Sequence, residues 1–234
     1  MIYPILFFLG AIFGSFANLV INRTIRQVSI VSPPSHCESC GHRLYPLDLV
    51  PIFSFLFLKG RCRYCREMIS RDNLFLELIS GLFLLIFFDP NNILASTLLY
   101  SGLILALIIA LIDLKTFDIY MIQILYLGLI GLTYRIKFIG LDFLFIKNTL
   151  IFVLAYGIIY YFSRAGVGDG DIYYYLALFL FLPNDKLLWF ILISLWLGAI
   201  SGIVIAVKHK STKLVIPFCI YIFMAYLLLS LPWS

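Results

Sequence analysis

The sequence has 234 residues, of which 63% are apolar and only 12% are charged. Soluble domains carry about 25% charged residues, so this composition excludes an ordinary soluble domain and indicates a membrane protein with several spans. The net charge of +5 would suit a nucleic-acid partner, but the basic residues cluster between apolar segments, which favours a membrane-orientation signal.

Eight apolar segments follow one another along the chain. Each is predicted to be a helix, because backbone in lipid must satisfy its own hydrogen bonds. The first lacks a basic leader and a small-residue cleavage site, so we expect a retained span. Several are shorter than the roughly 20 residues that a span needs, and one of them could cross only partly. The segments are 2–21, 74–88, 93–112, 119–134, 148–163, 172–183, 187–207 and 214–231.

Lysine and arginine predict the orientation of these spans. With the amino terminus outside, thirteen basic residues fall in inner loops and four in outer loops, so both termini are predicted to lie outside. The inner set is Arg23, Arg26, Arg43, Lys59, Arg61, Arg63, Arg66, Arg71, Lys115, Arg164, Lys208, Lys210 and Lys213, and the outer set is Arg135, Lys137, Lys147 and Lys186. The expected fold is an all-α polytopic membrane protein with about eight transmembrane helices.

The large inner loop, residues 22–73, contains two C-x-x-C pairs separated by 21 residues. Each pair supplies two thiolates from one turn, so together they predict a structural zinc site that folds this small loop. A reducing cytoplasm disfavours disulfides, and a redox role is the alternative. His36 and His42 are expected outside the ligand set, and Cys219 is expected to be a small apolar filler. The predicted ligands are Cys37, Cys40, Cys62 and Cys65.

Between the two cysteine pairs runs the apolar stretch LVPIFSFLFL, residues 49–58. Ten residues are too few to span a bilayer. Two interpretations remain open. The stretch packs onto the membrane face, or it forms a small buried core for the metal-binding loop.

Two carboxylates lie at the predicted cytoplasmic ends of different helices. Asp113 ends one apolar run and Asp171 begins another. Two carboxylates meeting at one depth suit an aspartic protease, in which one acid is ionised while its partner holds a proton. The alternative is that each is simply a polar helix end. The chain has no H-E-x-x-H or G-x-S-x-G, the motifs of other hydrolase classes.

Three further features concern these carboxylates. Glu77 lies one turn inside the second span, where an ionisable group suggests function, although pairing with Arg71 would also explain it. Glycines at 166, 168 and 170 leave room for a peptide backbone. Asp169 and Asp171 point about 200° apart on a helix, so only one of them is expected to be catalytic.

Five segments together resemble the type IV prepilin peptidases, membrane aspartic proteases with a G-x-G-D motif. The segments are GSFANLVINR (14–23), the loop 35–65, SRDNLFLELISG (70–81), LIDLKTFDIY (111–120) and GVGDGDIYYYLAL (166–178). The resemblance implies that Asp113 and Asp171 are catalytic, with Gly168, Gly170, Asp169 and Glu77 as supporting residues. Two positions depart from the family pattern. The family often has Ile-Pro-Asp where this chain has Ile119-Tyr120-Met121, and it usually has Lys where this chain has Tyr173. Both departures resemble the competence-pseudopilin branch.

The resemblance also implies a function. Family members cleave the basic leader of prepilins or pseudopilins after a glycine, at the cytoplasmic face of the bacterial cell membrane. Many then methylate the new amino terminus with S-adenosylmethionine, an activity associated with the zinc-loop region. The expected partners are precursor peptides and the lipid bilayer, with no nucleic acid.

The expected organisation is an amino-terminal part with the zinc loop, residues 1–90, and a peptidase membrane domain, residues 91–234. Two rival functions stay open. An ion-coupled transporter would use membrane-edge carboxylates, although the repeated halves that it predicts are not seen. A processing-inactive methyltransferase or scaffold would keep only the zinc loop.

Overall fold

The computed structural model describes residues 2–163, 168–209 and 216–232. The described part is helical, with two isolated β-bridges and no strand, so the predicted all-α class is confirmed. The predictions made for Arg164, Gly166, Lys210 and Lys213 lie outside it. The helices are α1 Ile2–Ile25, α2 Phe53–Phe57, α3 Arg71–Phe87, α4 Ile93–Thr116, α5 Met121–Tyr134, α6 Phe143–Ser163, α7 Asp169–Phe179, α8 Leu187–His209 and α9 Cys219–Ser230.

Each of the eight predicted segments contains a helix, but the count of eight spans is not confirmed. Within the described residues, five helices are long and apolar enough to cross a membrane: α1, α4, α5 with its continuing π-helical turn to Ile139, α6 and α8. The other three, α3, α7 and α9, have 17, 11 and 12 residues. Helix α9 begins at Cys219 rather than near 214, because Pro217 disfavours helical backbone in the residue before it.

By packing, the chain divides into two compact units, Met1–Phe88 and Asp89–Ser234. In the first unit, α1 and α3 pack against each other along their length. Glycine makes this close approach possible, because a Cβ on Gly10 would lie only 2.8 Å from Gly81 Cα. The Ser80 hydroxyl donates to the Gly10 carbonyl at 2.7 Å, which satisfies a buried polar group within the interface.

The second unit is built around α4, which packs against α5 and α9. Helix α7 lies against α5, and its residue Tyr174 is fully buried with its hydroxyl donating to the Ala106 carbonyl at 2.9 Å. The rings of Tyr175, Phe179 and Phe190 form an aromatic cluster with centroids 5.3 to 6.3 Å apart. These contacts fix the rotation of α7, and with it the direction of Asp171.

The carboxyl end of α7 is capped by Arg135, which the sequence analysis assigned to a predicted outer loop. Arg135 is fully buried, and its guanidinium donates to the carbonyls of Phe179 and Leu182 at 3.2 and 2.8 Å. It also lies 3.4 Å above the Phe145 ring centroid. A cation at this end complements the helix dipole. Arg135 therefore holds α7 at the end opposite Asp171.

Candidate active site and metal centre

Asp113 and Asp171 are both buried, with exposed fractions of 5% and 7%. Asp113 lies in the last turn of α4, which ends where Phe117 adopts a left-handed conformation and donates its N–H to the Asp113 carbonyl. Asp171 lies in the first turn of α7, which begins after Gly168. The two predicted carboxylates thus sit at facing ends of two different helices of the second unit.

Both carboxylates meet a third residue, Cys219, at the start of α9. The Cys219 backbone N–H donates to Asp113 Oδ2 at 3.1 Å, and its thiol donates to Asp171 Oδ1 at 3.5 Å. The first N–H groups of a helix have no partner within the helix, so this one is free to bind a carboxylate. The expectation that Cys219 is an apolar filler is wrong. Cys219 joins the two acids.

These acids keep much of their hydrogen-bonding capacity. Within the described residues, the hydrogen bonds that Asp113 and Asp171 accept through their carboxylates all come from Cys219. A carboxylate offers about four lone-pair sites. The pair is therefore buried, and it keeps lone pairs that the described hydrogen bonds do not use.

Two glycines let neighbouring side chains approach the α7 side of the site closely. A Cβ on Gly168 would lie 3.0 Å from Asp171 Oδ2, and one on Gly170 would lie 2.6 Å from Ile119 Cδ1. The Tyr156 hydroxyl donates to the Gly168 carbonyl at 2.8 Å. Sequence analysis did not identify Ile119 and Tyr156 as neighbours of the site. Their contacts with Gly170 and Gly168 join segments that are separate in the sequence, and no local pattern reveals them.

Asp169 and Asp171 have different surroundings, as their helical spacing predicts. Asp169 is exposed, whereas Asp171 is buried beside Cys219. Asp169 interacts with the Tyr160 hydroxyl rather than with the carboxylate pair. The geometry therefore groups Asp171 with Asp113 and leaves Asp169 outside.

Glu77 belongs to a different arrangement, in the first unit. Its side chain is buried and accepts hydrogen bonds from the Ile52 N–H at 2.6 Å, from Asn73 Nδ2 at 2.9 Å and from Ser15. The alternative of an ion pair with Arg71 is wrong, because the carboxylate is directed into the α1–α3 interface. There it binds the loop that precedes α2.

The four predicted metal ligands converge. The Sγ atoms of Cys37, Cys40, Cys62 and Cys65 all lie within 4.8 Å of one another, and the four side chains are free thiols. The residues fit a divalent metal that prefers tetrahedral sulfur ligands. Hydrogen bonding by the Cys40 backbone N–H lowers the pKa of the Cys37 thiol to about 7.

The two cysteine turns repeat the same backbone structure. The N–H of Cys37 donates to the His42 carbonyl, and the N–H of Cys62 donates to the Glu67 carbonyl. A β-bridge closes each turn, between His36 and Arg43 in the first and between Arg61 and Met68 in the second. The residue after the second cysteine has positive φ in both turns, Gly41 at 69° and Arg66 at 64°. Each turn is thus a knuckle built to present two thiols.

Both histidines lie outside the thiol cluster, as predicted. His36 Nδ1 lies 3.0 Å from the Pro34 carbonyl, and the His42 ring centroid lies 3.6 Å from that of Tyr64.

Asp48 ties the second knuckle to the loop before α2. It accepts hydrogen bonds from Arg63 Nε at 2.6 Å and from the Tyr64 hydroxyl at 3.2 Å. Burial raises the pKa of Asp48, but the hydrogen bonds from Arg63, the Tyr45 N–H and Tyr64, together with the Arg63 charge, outweigh this effect and the pKa is lowered. An exposed ion pair between Arg26 and Glu38, at 2.7 Å, links the residue after α1 to the first knuckle.

Comparison with known proteins gives a consistent result. The family model described as "Bacterial Peptidase A24 N-terminal domain" matches residues 8–89. The chain is 30% identical to a prepilin leader peptidase/N-methyltransferase of Burkholderia pseudomallei, over 84% of this chain and 74% of that protein. This chain belongs to the type IV prepilin peptidase family.

Other relatives match this chain over shorter stretches. Proteins of the same name from Myxococcus xanthus and Bacillus subtilis are each 46% identical to it, over 33% and 28% of this chain. These stretches cover only 23% and 27% of the relatives' own lengths. No solved structure matches the chain. The family model includes the four clustered cysteines and Glu77 but ends before Asp113.

Proposed function

We propose that this protein is an aspartic endopeptidase that removes the leader from prepilin or pseudopilin precursors. The observation that carries the proposal is the convergence of two buried carboxylates, from different helices, on Cys219. Family membership supports the substrate class, because the relatives named above are prepilin leader peptidases. An ion-coupled transporter is not favoured.

In the proposed reaction Asp113 and Asp171 share one proton. The ionised carboxylate takes a proton from water, whose oxygen attacks the scissile carbonyl carbon, while the protonated partner donates a hydrogen bond to the carbonyl oxygen. The tetrahedral intermediate then collapses, and the peptide nitrogen leaves with a proton from the carboxyl pair. The products are a leader with a new carboxyl terminus and a mature chain with a free amino terminus.

Neighbouring residues would orient this pair. Cys219 would act as a positioning residue, since it contacts one carboxylate through its N–H and the other through its thiol. Gly168 and Gly170 would let the substrate backbone approach the first turn of α7. The resemblance implies cleavage after a glycine.

The proposed setting is the bacterial cell membrane, with the carboxylates at the cytoplasmic side. The excess of lysine and arginine in the predicted inner loops supports this orientation. A precursor with a basic leader in the cytoplasm and an apolar helix in the membrane would then present its cleavage site at the depth of the two acids.

We propose zinc as the metal of the four-thiol cluster. The tetrahedral sulfur set supports it, and a bound ion would cross-link the two knuckles of a loop too small to fold on its own core. The chain's own contribution is to hold four thiolates in place with backbone hydrogen bonds.

A second activity, transfer of a methyl group from S-adenosylmethionine to the new terminal amine, is also proposed. Its support is the name of the relatives together with the match over residues 8–89. Mass spectrometry of processed pseudopilin tests this step separately, because an unmethylated but correctly cleaved product would contradict methylation alone.

The test of the peptidase is co-expression with a pseudopilin precursor, followed by gel analysis of precursor size. Asp113→Asn and Asp171→Asn should each leave the precursor uncut. Asp169→Asn is the matched control and should process it normally. If both dyad variants still produced mature pseudopilin, the proposed mechanism would be wrong.

A further inference from the structure

The apolar stretch between the two knuckles has contacts that its sequence did not predict. We propose that residues 49–58 form a re-entrant segment, which enters the bilayer beside α1 and α3 and exposes its apolar side chains to lipid acyl chains. The Glu77 carboxylate holds the segment at that depth. This inference concerns the first unit and does not depend on the proposed peptidase activity.

Two contacts establish the depth of the segment. The Ile52 N–H binds Glu77, which lies six residues beyond Arg71 in α3, and the Phe53 ring centroid lies 6.2 Å from that of Phe8 in α1. At 1.5 Å per residue, Glu77 is about 9 Å from the Arg71 end of its helix. Phe8 lies fifteen residues before Arg23, which is about 22 Å along α1. The segment therefore extends along the apolar length of both helices rather than resting at their basic ends.

The side chains of the segment suit hydrocarbon. Phe53, Leu56 and Phe57 are exposed, Phe57 to 81%. The outward-facing residues of α1 and α3 near the Ile52 level are Phe16 and Phe75, which are also exposed and apolar. Through the contact between Phe53 and Phe8, these side chains adjoin α1, a helix long and apolar enough to cross a membrane, and exposed apolar side chains in that position suit lipid. The exposure of these three side chains argues against a small buried core, although Pro51 is buried and Phe55 is half-buried.

Most backbone N–H groups of the segment have hydrogen-bond partners within it or from Glu77. Backbone N–H groups without partners are too costly in hydrocarbon, so each must be satisfied internally. Pro51 has no N–H, and those of Phe53, Ser54, Leu58 and Gly60 bind carbonyls within residues 50–55. The N–H of Ile52 instead uses the Glu77 carboxylate.

Ile52 itself has a strained backbone. Its φ is 64°, and positive φ is a rare conformation for a β-branched residue. Strain of this kind persists only where surrounding contacts impose it. Here the hydrogen bond to Glu77 and the hydrogen bond from the Phe53 N–H to the Pro51 carbonyl at 2.6 Å hold it, and the result is a sharp turn. The charged residues Asp48 and Lys59 flank the segment on both sides, where it would return to water.

Tryptophan fluorescence in lipid vesicles tests the location. In full-length, metal-loaded protein with Trp189, Trp196 and Trp233 changed to Phe, one tryptophan is introduced by Phe57→Trp. The matched control is Tyr45→Trp, at an exposed aromatic residue next to the first knuckle. Phosphatidylcholine with brominated acyl chains should quench most of the emission at position 57 and little at position 45. Aqueous iodide should give the opposite order.

Two outcomes would overturn the proposal. Quenching at position 57 by iodide and not by brominated lipid would place the segment in water. Quenching by neither would mean that protein, such as a second copy of the chain, covers the side chain instead of lipid.

Variants of Glu77 test the anchor. Glu77→Gln keeps an oxygen that can accept the Ile52 N–H, so quenching by brominated lipid at position 57 should be retained. Glu77→Leu removes every acceptor, and quenching should shift toward iodide, with metal content as a check that the knuckles remain folded. If Glu77→Leu left the quenching pattern unchanged, Glu77 would not anchor the segment.

Discussion

The two units bury carboxylates in different ways. In the first, Glu77 accepts hydrogen bonds from the Ile52 N–H, from Asn73 and from Ser15. In the second, Asp113 and Asp171 accept hydrogen bonds from one described residue, Cys219, which donates to both. All three acids are buried. A saturated carboxylate stabilises a structure, whereas an unsaturated pair has lone pairs left for water and substrate. The number of donors, rather than burial, separates the structural acid from the proposed catalytic ones.

The largest expected effect separates these two kinds of acid. Asp113→Asn or Asp171→Asn should lower precursor processing by about 10²–10⁴-fold, the usual contribution of general acid–base catalysis. Glu77→Gln should leave processing largely intact and lower stability by about 1–3 kcal/mol, because one buried partner is poorly satisfied. Initial processing rates and denaturant unfolding of each purified variant measure the two effects. Abolished processing in Glu77→Gln, with stability unchanged, would reverse the assignment.

Removal of one clustered thiol should empty the metal site. Cys37→Ser is expected to reduce the zinc content of the purified protein from about one equivalent to near zero, because a structural site needs all four ligands. Cys219→Ser carries the same substitution outside the cluster and should retain the metal. Elemental analysis of both variants decides this. Full zinc in Cys37→Ser would contradict the four-thiolate site.

A smaller effect should follow from adding one methyl group beside the dyad. Gly170→Ala places a Cβ 2.6 Å from Ile119 Cδ1, and overpacking of this kind costs about 1–3 kcal/mol. The first turn of α7 should shift, so processing should slow. Ile119→Ala in the same chain makes room and should restore much of the rate. Kinetics of the single and double variants give the comparison, and an absence of rescue would mean that Gly170 is needed for another reason.

The smallest effect concerns the thiol that joins the two acids. Cys219→Ala keeps the N–H that binds Asp113 but removes the donor to Asp171, so the rate should fall by about two- to tenfold, the value of one modest hydrogen bond. Cys219→Ser retains a donor and should restore the rate. A positioning role also predicts that the pH–rate profile of Cys219→Ala shifts relative to the profiles of the unsubstituted protein and of Cys219→Ser. An unchanged profile would indicate that the thiol only fills space.

Much of the site could be predicted because its signals are local. The spacing of Cys37, Cys40, Cys62 and Cys65 predicted a cluster, and the positions of Asp113 and Asp171 at the ends of apolar runs predicted two acids at helix termini. The knuckles and the helix ends are each set by a few consecutive residues. The roles of Asp113 and Asp171 in catalysis stay predictions.

The interactions that sequence reasoning missed all join distant parts of the chain. Cys219 contacts Asp113 across 106 residues, and Ile52 contacts Glu77 across 25. Sequence analysis counted Arg135 only as an outer-loop charge, whereas the structure shows it as a buried cap of α7. The sequence did not reveal this role because the partners of Arg135 lie more than 40 residues away. No periodicity or motif in the sequence marks such partners.

The sequence alone determined that this is an all-α membrane protein with a four-cysteine loop, because hydrophobic runs and ligand spacing act over short distances. Only the tertiary structure decided which buried acids are saturated, where residues 49–58 lie and what Cys219 touches. Those outcomes depend on the packing angle and rotation of whole helices, and these are set by many side chains at once.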